Sequence, residues 1–274
     1  MPERPQQTVL PAIRALIDAT GLAAMPMSVS ARHCHLTRES MDALFGPGSE
    51  LTVLREVSQP GQYAANQTVG FRGTKGEFKS VRIIGPLRKA TQVEVSFTDA
   101  RMLGIAPPLR NSGDLDESEG GVLIGPKGEF TLDDGVIIAW RHVHMSPKDA
   151  ETYRVSDGER VAVYAEGQRP TLFDDCIIRV HPNFALDFQI DTDEGNACGH
   201  YDGARAWLLP GGLTGSLPGP KGQVPHGKTL ITEQDVHKAH QEKRTLWADE
   251  NTIITPSAHD ADNRAGVIKR RATP

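Results

Sequence analysis

Apolar residues in this chain recur mostly in short β-branched runs, separated by turn signals such as Pro60-Gly61. Side chains alternate between the two faces of a strand, so such runs predict strands with one buried face. The predicted strands are 27–35, 50–57, 67–73, 78–85, 91–97, 121–125, 128–131, 135–144, 159–165, 172–180, 185–191 and 251–255. Closely spaced strands without long helices between them favour small barrels or sandwiches, so we predict a mainly β fold.

Helical spacing is confined to a few short segments. Residues 8–20 form the first, which we interpret either as a helix packed on the first domain or as a docking helix for a partner. The other predicted helices are 38–45, 146–152, 232–241 and a short polar helix after residue 258. We expect an irregular connector at 98–120 and a Gly/Pro-rich surface segment or lid at 199–230.

A four-residue stretch occurs twice, as Arg-His-Cys-His at 32–35 and as Arg-His-Val-His at 141–144. Each copy ends a predicted strand and precedes a Ser or Thr N-cap and a short helix. An internal repeat of this length predicts two similar β-barrel domains with short capping helices, related by a pseudo-twofold axis. We place the N-terminal segment at 1–26, the barrels at 27–120 and 121–200, and a C-terminal extension packing on the barrels at 201–274.

The two His-x-His pairs are candidate metal ligands. In an extended segment both imidazoles of a pair point to one face and can reach one ion. The alternative is that these histidines are satisfied by hydrogen bonds in the core or at the surface. Cys34 lies between His33 and His35 and should point to the opposite face, so we interpret it as a packing residue.

A late strand in each half supplies a candidate third ligand. Residues 92–96 align with 187–191, which places Glu94 and Gln189 in equivalent positions. Two histidines and a carboxylate make a three-ligand site with an open position, as catalytic zinc requires. Glu94 could instead be a solvent-facing strand residue, and Gln189 is a poorer, neutral ligand.

Composition narrows the functional classes. The formal net charge is −5, and the sequence has no cluster of basic residues. We therefore do not expect the protein to bind nucleic acid. No apolar run is long enough to span a bilayer and no signal peptide is recognisable, so we expect a soluble intracellular protein. Three cysteines are too few for a disulfide framework.

Two further stretches are candidate ion sites. Arg88 follows a tight turn, where its planar guanidinium could bind phosphate or make a surface salt bridge. The acidic segment 191–197 could be a helix cap or a weak cation site. Walker A, Rossmann and Gly-x-Ser-x-Gly motifs are missing from the sequence. These observations indicate a metal-dependent enzyme that acts on an anionic substrate.

Six motifs in fixed order carry a resemblance to a known family. They are SARHCHL at 30–36, GPLR at 85–88, TQVEVS at 91–96, NSGD at 111–114, RHVHMSP at 141–147 and DTDE at 191–194. In these motifs the chain resembles the PduL-type phosphate propanoyltransferases, also called phosphotransacylases. The resemblance implies two β-barrels with two divalent ions, usually zinc, in the cleft between them. It also implies the reaction of a short-chain acyl-CoA, propanoyl-CoA or acetyl-CoA, with phosphate to give acyl phosphate and coenzyme A.

The resemblance assigns roles to individual residues. His33, His35 and Glu94 would hold one ion, and His142 and His144 the other. Arg88 would be the phosphate-binding catalytic residue. The expected coenzyme A contacts are Ser30, Arg82 and Asn196. The family has a histidine at the position of Gln189, so the third ligand of the second ion would be Gln189 or His200.

The resemblance also bears on cellular context. Such enzymes often work inside bacterial microcompartments, where an N-terminal segment directs encapsulation, so residues 1–26 are a candidate for that role. We expect a homo-oligomer in the bacterial cytoplasm or in a microcompartment lumen, with shell or cargo proteins as partners. The competing interpretations are a metal-dependent hydrolase and an inactive metal-binding microcompartment protein.

Overall fold

The structure is a computed structural model that describes residues 15, 17–209, 230–231, 233–241, 245–248 and 252–270. The chain divides into two compact units, Met1–Gly215 and Ser216–Pro274. Among the described residues, no helix is long and apolar enough to cross a membrane. Most of the predicted helix at 8–20 and of the predicted lid at 199–230 lies outside the described residues, although 17–20 are helical.

Short strands dominate the first unit. They are β1 (Met25–Ser30), β2 (His33–His35), β3 (Val53–Glu56), β4 (Tyr63–Arg72), β5 (Glu77–Gly85), β6 (Gln92–Glu94), β7 (Leu109–Arg110), β8 (Glu119–Ile124), β9 (Glu129–Ala139), β10 (His142–Met145), β11 (Arg160–Ala165), β12 (Thr171–Val180), β13 (Asp187–Asp191) and β14 (Arg205–Leu209). Its described helices from residue 25 onward are α1 (Arg38–Phe45), α2 (Phe97–Leu103), α3 (Pro147–Tyr153) and α4 (Thr192–Cys198).

The first unit contains two closed six-stranded barrels, which confirms the predicted mainly β fold. In the first barrel the ring order is β2-β5-β4-β8-β9-β6, closed by the pairing of β6 with β2. In the second barrel the order is β10-β12-β11-β14-β1-β13, closed by the pairing of β13 with β10. Parallel and antiparallel pairings follow the same sequence around both rings, so the two barrels share one topology, as the internal repeat predicts.

Each barrel encloses its own apolar core. Phe71, Ile83 and Val93 belong to the core of the first barrel. Phe188 and Ile178 belong to the core of the second. Small barrels are typically filled by inward side chains, and these two cores are apolar.

The division of the chain between the barrels differs from the expected ranges 27–120 and 121–200. The first barrel is built from residues 33–139, because β8 and β9 close it. The second barrel is discontinuous, because its closing strand is β1, from the N-terminal side of the first barrel. It also includes β14, beyond residue 200.

Four local predictions were wrong. The runs 27–35 and 135–144 read as continuous strands, but each breaks just before its His-x-His pair, at 31–32 and 140–141, where the chain passes from one barrel to the other. The segments predicted at 128–131 and 135–144 share the single strand β9. The connector predicted at 98–120 contains α2.

The second unit has a small core of its own. Its elements are β15 (Leu230–Ile231), α5 (Glu233–Gln241), β16 (Leu246–Ala248), β17 (Ile253–Ile254), α6 (Pro256–Ala265) and β18 (Ile268–Arg270). β15 pairs with β17 and β16 with β18, both in parallel. Ile231, Val236 and Ala258 are buried in the core. The helix and strand predicted at 232–241 and 251–255 correspond to α5 and β17, although Thr232, the predicted cap, lies outside the described residues.

Candidate active site

Four short helices begin directly after the strands that carry the candidate ligands. Each N-cap side chain accepts a hydrogen bond from the backbone N–H of the third helical residue, and the side chain of that residue accepts one from the backbone N–H of the cap. This reciprocal capping box fixes where the strand stops and the helix starts. The ligand positions and the caps that follow them two residues later are His35 and Thr37, Glu94 and Ser96, His144 and Ser146, and Gln189 and Asp191.

The first cluster consists of His33, His35 and Glu94. One ligand atom from each side chain lies within 4.8 Å of the others, in the described part of the chain the only such group of three or more His, Cys, Asp or Glu residues. His33 Nε2 is 3.7 Å from Glu94 Oε2, and both side chains are 12% exposed. β2 and β6 are antiparallel with His33 opposite Glu94, so the sheet register itself brings the carboxylate to the histidines.

Backbone carbonyls orient both imidazoles of this cluster. His33 Nδ1 lies 3.0 Å from the carbonyl oxygen of Ala31, and His35 Nδ1 lies 2.9 Å from that of Ile84. A ring that donates from Nδ1 keeps the lone pair of Nε2 free, which is how ligand histidines are usually held. The pattern therefore presents both Nε2 atoms as metal ligands.

Glu94 is supported by a neighbouring amide. Gln92 Nε2 donates to Glu94 Oε1 at 2.5 Å and to Ser112 Oγ at 2.8 Å. The backbone N–H of Gly113 donates to Gln92 Oε1 at 2.9 Å. The 111–114 motif thus holds Gln92, which in turn fixes one oxygen of the Glu94 carboxylate.

The protonation states suit a cation. Burial, then the neighbouring His33 and Arg88, lower the pKa of His35 to about 3. Burial by itself raises the pKa of Glu94, but the surrounding histidines oppose it and hold the pKa at about 2. Near neutral pH the cluster therefore offers a neutral imidazole at His35 and an ionised carboxylate, which are the ligand forms of these groups. The donor set fits a divalent ion.

The second histidine pair is equally buried but differently supported. His142 Nδ1 lies 2.6 Å from the carbonyl oxygen of Trp140, as His33 does from that of Ala31. The His144 ring packs on Phe184 with centroids 4.3 Å apart. Within the described chain, His144 Nδ1 is buried without a hydrogen-bond partner. Burial and the adjacent His142 lower the pKa of His144 to about 2.

Amide and carboxylate have exchanged places in the second barrel. Gln189 lies opposite His142, as Glu94 lies opposite His33, and Asp187 lies opposite His144, as Gln92 lies opposite His35. The buried Asp187 carboxylate accepts from Ser28 Oγ at 2.6 Å and from Gln189 Nε2 at 3.3 Å. Gln189 Nε2 also donates to Ser58 Oγ at 3.0 Å.

The second pair therefore does not fit a three-donor metal site in the way the first does. Neither Asp187 nor His200 joins His142 and His144 in a cluster of three donor atoms among the residues described. His200 Nδ1 is buried and has no hydrogen-bond partner there. Gln189 remains the neighbouring candidate, with its amide oxygen as the ligand atom and its amide nitrogen bound to Ser58 and Asp187.

Both histidine pairs line one cavity of about 570 Å³, together with Arg88, Glu94 and Gln189. Arg88 is half-buried, and its guanidinium donates to Ser112 Oγ at 3.4 Å and to Gln62 Oε1 at 3.3 Å. These long contacts to neutral groups leave Arg88 without a carboxylate partner, which removes the salt-bridge alternative for it among the described residues.

The expected coenzyme A contacts are only partly brought together. Ser30 and Arg82 line the cavity. Arg82 donates to the backbone carbonyls of Ala65 and Asn66 at 2.8 and 3.1 Å. Asn196 lies on α4, where its side chain is exposed and is not part of the cavity lining. The acidic segment that contains it is a helix cap, since Asp191 caps α4.

Arg179 also lines the cavity and was missed by sequence reasoning. It lies on β12 opposite His144. A single arginine in an apolar strand such as CIIRV is unremarkable by itself. The usable signal was its position: once the halves are aligned, it falls beside the second histidine pair.

No described cysteine offers a nucleophile. Cys34, Cys176 and Cys198 are free and fully buried. Burial raises the pKa of each thiol above its ordinary value. Thiolate is the reactive form of cysteine, so these side chains are inert packing residues, as predicted for Cys34.

Comparison with known proteins gives the family. Residues 26–201 match the family model for phosphate propanoyltransferase. The chain is 55% identical over 172 residues to the phosphate propanoyltransferase of Thermotoga maritima, covering 62% of this chain and 82% of the relative. It is 52% identical over 173 residues to that of Priestia megaterium, covering 63% and 80%. Identity to that of Listeria monocytogenes is 47% over 196 residues, covering 72% and 90%. The motif resemblance is thereby confirmed, and the chain belongs to the phosphate propanoyltransferase family, whose members are acyltransferase enzymes.

Proposed function

We propose that this protein transfers a short acyl group between coenzyme A and phosphate, with propanoyl-CoA or acetyl-CoA as the acyl donor. The observation that carries the proposal is the position of Arg88 beside the His33, His35 and Glu94 cluster on one cavity. A cation site and an unpaired guanidinium together suit a tetrahedral dianion. The family supports the same reaction class.

In the proposed reaction, phosphate is the nucleophile. An oxygen of HPO₄²⁻ attacks the thioester carbonyl carbon, a C–O bond forms, and the C–S bond breaks as the intermediate collapses. The phosphate proton ends on the departing sulfur, so the products are the acyl phosphate dianion and coenzyme A thiol. The enzyme supplies no nucleophile, which agrees with the burial of its three cysteines.

Arg88 holds and orients the phosphate in this scheme. Its contacts to Gln62 and Ser112 fix the plane of the guanidinium, which leaves N–H donors for two oxygens of one anion. Orientation matters because near-attack geometry lowers the barrier to a bimolecular step by several kcal/mol, roughly 7 or more in favourable cases.

We assign the metal to His33, His35 and Glu94. A divalent ion there supplies Lewis-acid stabilisation of developing negative charge. Zinc suits a site with two imidazoles and a carboxylate. The two-ion expectation has weaker support, because His142 and His144 lack a carboxylate opposite His142. We therefore propose one tightly held ion at the first site, with weaker binding at the second through Gln189.

Ser30, Arg82 and Asn196 remain our proposed contacts to coenzyme A. Ser30 and Arg82 border the same cavity as Arg88. Asn196 would contact the part of the acyl-CoA substrate that extends beyond the cavity. A homo-oligomer, encapsulation through residues 1–26 and shell or cargo partners in a microcompartment also remain proposals.

The test is a thiol-release assay with product trapping. Purified protein is mixed with propanoyl-CoA or acetyl-CoA with and without phosphate, and hydroxylamine converts any acyl phosphate to a hydroxamate. We expect phosphate-dependent thiol release with an equal amount of hydroxamate. Thiol release without phosphate, giving free acid, would instead identify a metal-dependent hydrolase. No release from metal-loaded protein would identify an inactive metal-binding protein.

A further inference from the structure

Arg179 lies at a position where the first barrel has an aliphatic residue. β12 runs parallel to β10 with Arg179 opposite His144. In the first barrel the corresponding strand β5 runs parallel to β2, and Ile84 holds the corresponding place beside His35. The duplicated fold therefore accepts an aliphatic residue here, and the arginine needs an explanation of its own.

Arg179 makes no direct ion pair with the described residues. None of the described residues makes a hydrogen bond to Arg179 or places a carboxylate within ion-pair distance of it. Its guanidinium carbon lies 6.0 Å from the centroid of the Phe184 ring. Arg32, Arg141 and Arg160 are each paired, with Asp99, Glu194 and Asp175 at 2.7, 2.9 and 2.8 Å respectively. Burial lowers the pKa of Arg179, so its guanidinium has lost hydration that no protein group replaces. Such a group is unfavourable unless an anion binds it.

Arg88 likewise has no carboxylate within ion-pair distance among the described residues, although its guanidinium donates to Ser112 and Gln62. It comes from the first barrel and Arg179 from the second, and both line the cavity. Burial lowers the pKa of both guanidinium groups, and the Glu94 charge opposes this lowering in each. The Asp157 charge also opposes it for Arg179, whereas the charge of Arg179 lowers the pKa of Arg88 further. Two partly desolvated like charges facing one cavity create a site for a multiply charged anion.

We propose that Arg179 is a second phosphate-binding residue, which holds one inorganic phosphate dianion together with Arg88 from the opposite barrel. The proposal rests on the proposed function for its choice of phosphate as the anion. Two guanidinium forks can satisfy more phosphate oxygens than one, and they fix the anion in orientation as well as in position. Phe184, which packs on both His144 and Arg179, keeps the side chain at the cavity wall.

The experiment measures phosphate binding directly, without turnover. Equilibrium dialysis with radiolabelled phosphate compares the metal-loaded wild type with Arg179→Met, which keeps the length of the side chain and removes its charge. We expect phosphate affinity to fall about 10- to 100-fold, as for loss of a charge-assisted hydrogen-bonding pair. Arg179→Lys should lose less, because it keeps the charge without the fork. Arg160→Met, in the same barrel and paired with Asp175, is the matched control and should bind like the wild type.

Steady-state kinetics provide the second readout. Arg179→Met should raise KM for phosphate by a similar factor and leave KM for acyl-CoA within about twofold. Unchanged phosphate affinity in Arg179→Met, or no phosphate binding by the wild type, would overturn the proposal. Arg179→Lys provides the comparison if Arg179→Met does not fold. Failure of the reaction itself would show as missing hydroxamate, while the dialysis result would still decide the role of Arg179.

Discussion

Gln189 is the residue at which the two halves of the site differ most. Its amide lies opposite His142, where the first barrel has a carboxylate opposite His33. A neutral amide is a weaker ligand for zinc than a carboxylate or imidazole. The exchange of Gln92 and Glu94 for Asp187 and Gln189 therefore predicts unequal metal affinity in two otherwise similar pockets.

The first prediction concerns metal content. We expect wild-type protein dialysed against a weak chelator to keep about one divalent ion per chain, and Gln189→His to keep about two, because the variant completes a three-donor set. Elemental analysis and the absorption spectrum of the cobalt-substituted protein measure this. Gln168→His adds an exposed histidine elsewhere and should change nothing. Two equally tight ions in the wild type would contradict the prediction.

The second prediction concerns the guanidinium of Arg88. Arg88→Lys keeps the charge and loses the planar fork, so we expect KM for phosphate to rise about tenfold while KM for acyl-CoA stays within about twofold. Arg160→Lys is the control, because Arg160 is paired with Asp175 at 2.8 Å in the other barrel. Equal changes in both KM values would exclude phosphate binding as the role of Arg88.

Residue types and spacing were enough to select His33, His35 and Glu94, which the structure brings together. The reason is that strand periodicity and the aligned halves determine which side chains share a face. Alignment of the halves places Arg179 and Asp187 beside the second histidine pair but does not give them a role. Their importance depends on which partners are missing or present across the cavity, and that information belongs to the tertiary structure.

At the scale of elements, the site depends on where short strands stop. Each strand with a ligand position runs into a capped helix two residues later. The cap satisfies helix N–H groups that would otherwise lack partners, so it stabilises the strand-to-helix junction. The same junction sets the direction of the ligand side chain just before it.

The third prediction tests this coupling. Ser96→Ala removes the cap oxygen of α2, two residues after Glu94, and should lower the free energy of unfolding by about 1 kcal/mol. We also expect weaker metal binding at the first site, because the end of β6 is released. Denaturant titration and metal competition measure the two effects. Thr255→Ala, which removes the N-cap of α6 in the second unit, should leave metal affinity unchanged. A similar loss of metal affinity in both variants would contradict the coupling.

Element boundaries were the weaker part of the sequence predictions. A Ser-x-x-Asp capping signal at 96–99 marks the start of α2, within a stretch that we predicted to be an irregular connector. The breaks before the histidine pairs had no comparable signal. Apolar periodicity continues across 31–32 and 140–141, and only the pairing partners reveal that the chain changes barrels there.

At the scale of the whole molecule, the sequence of the first barrel is inserted between two strands of the second. Residues 33–139 form the first barrel without a break, between β1 and β10 of the second. The chain thus passes twice between the barrels, each time immediately before a His-x-His pair. This connectivity places both pairs at the same cavity.

The fourth prediction follows from that connectivity. A fragment of residues 142–209 lacks β1 and should not fold, whereas the same fragment with 22–31 joined after residue 209 should fold. The join is feasible because β14 and β1 are antiparallel neighbours, with Ala206 opposite Met25, and such neighbours can be linked by a tight turn. Circular dichroism melting separates the cases. Cooperative unfolding of the fragment without 22–31 would contradict the assignment of β1 as the closing strand.

The most direct test of the central claim is phosphate-dependent thiol release before and after metal removal, in wild type and in Glu94→Gln. We expect wild-type activity to require phosphate, to disappear on chelation and to return with added zinc. Glu94→Gln, which keeps the shape of the ligand and removes its charge, should require far more zinc for any recovery. Phosphate-dependent release that survives complete metal removal, or that is unchanged in Glu94→Gln, would contradict a metal-assisted acyl transfer at His33, His35 and Glu94.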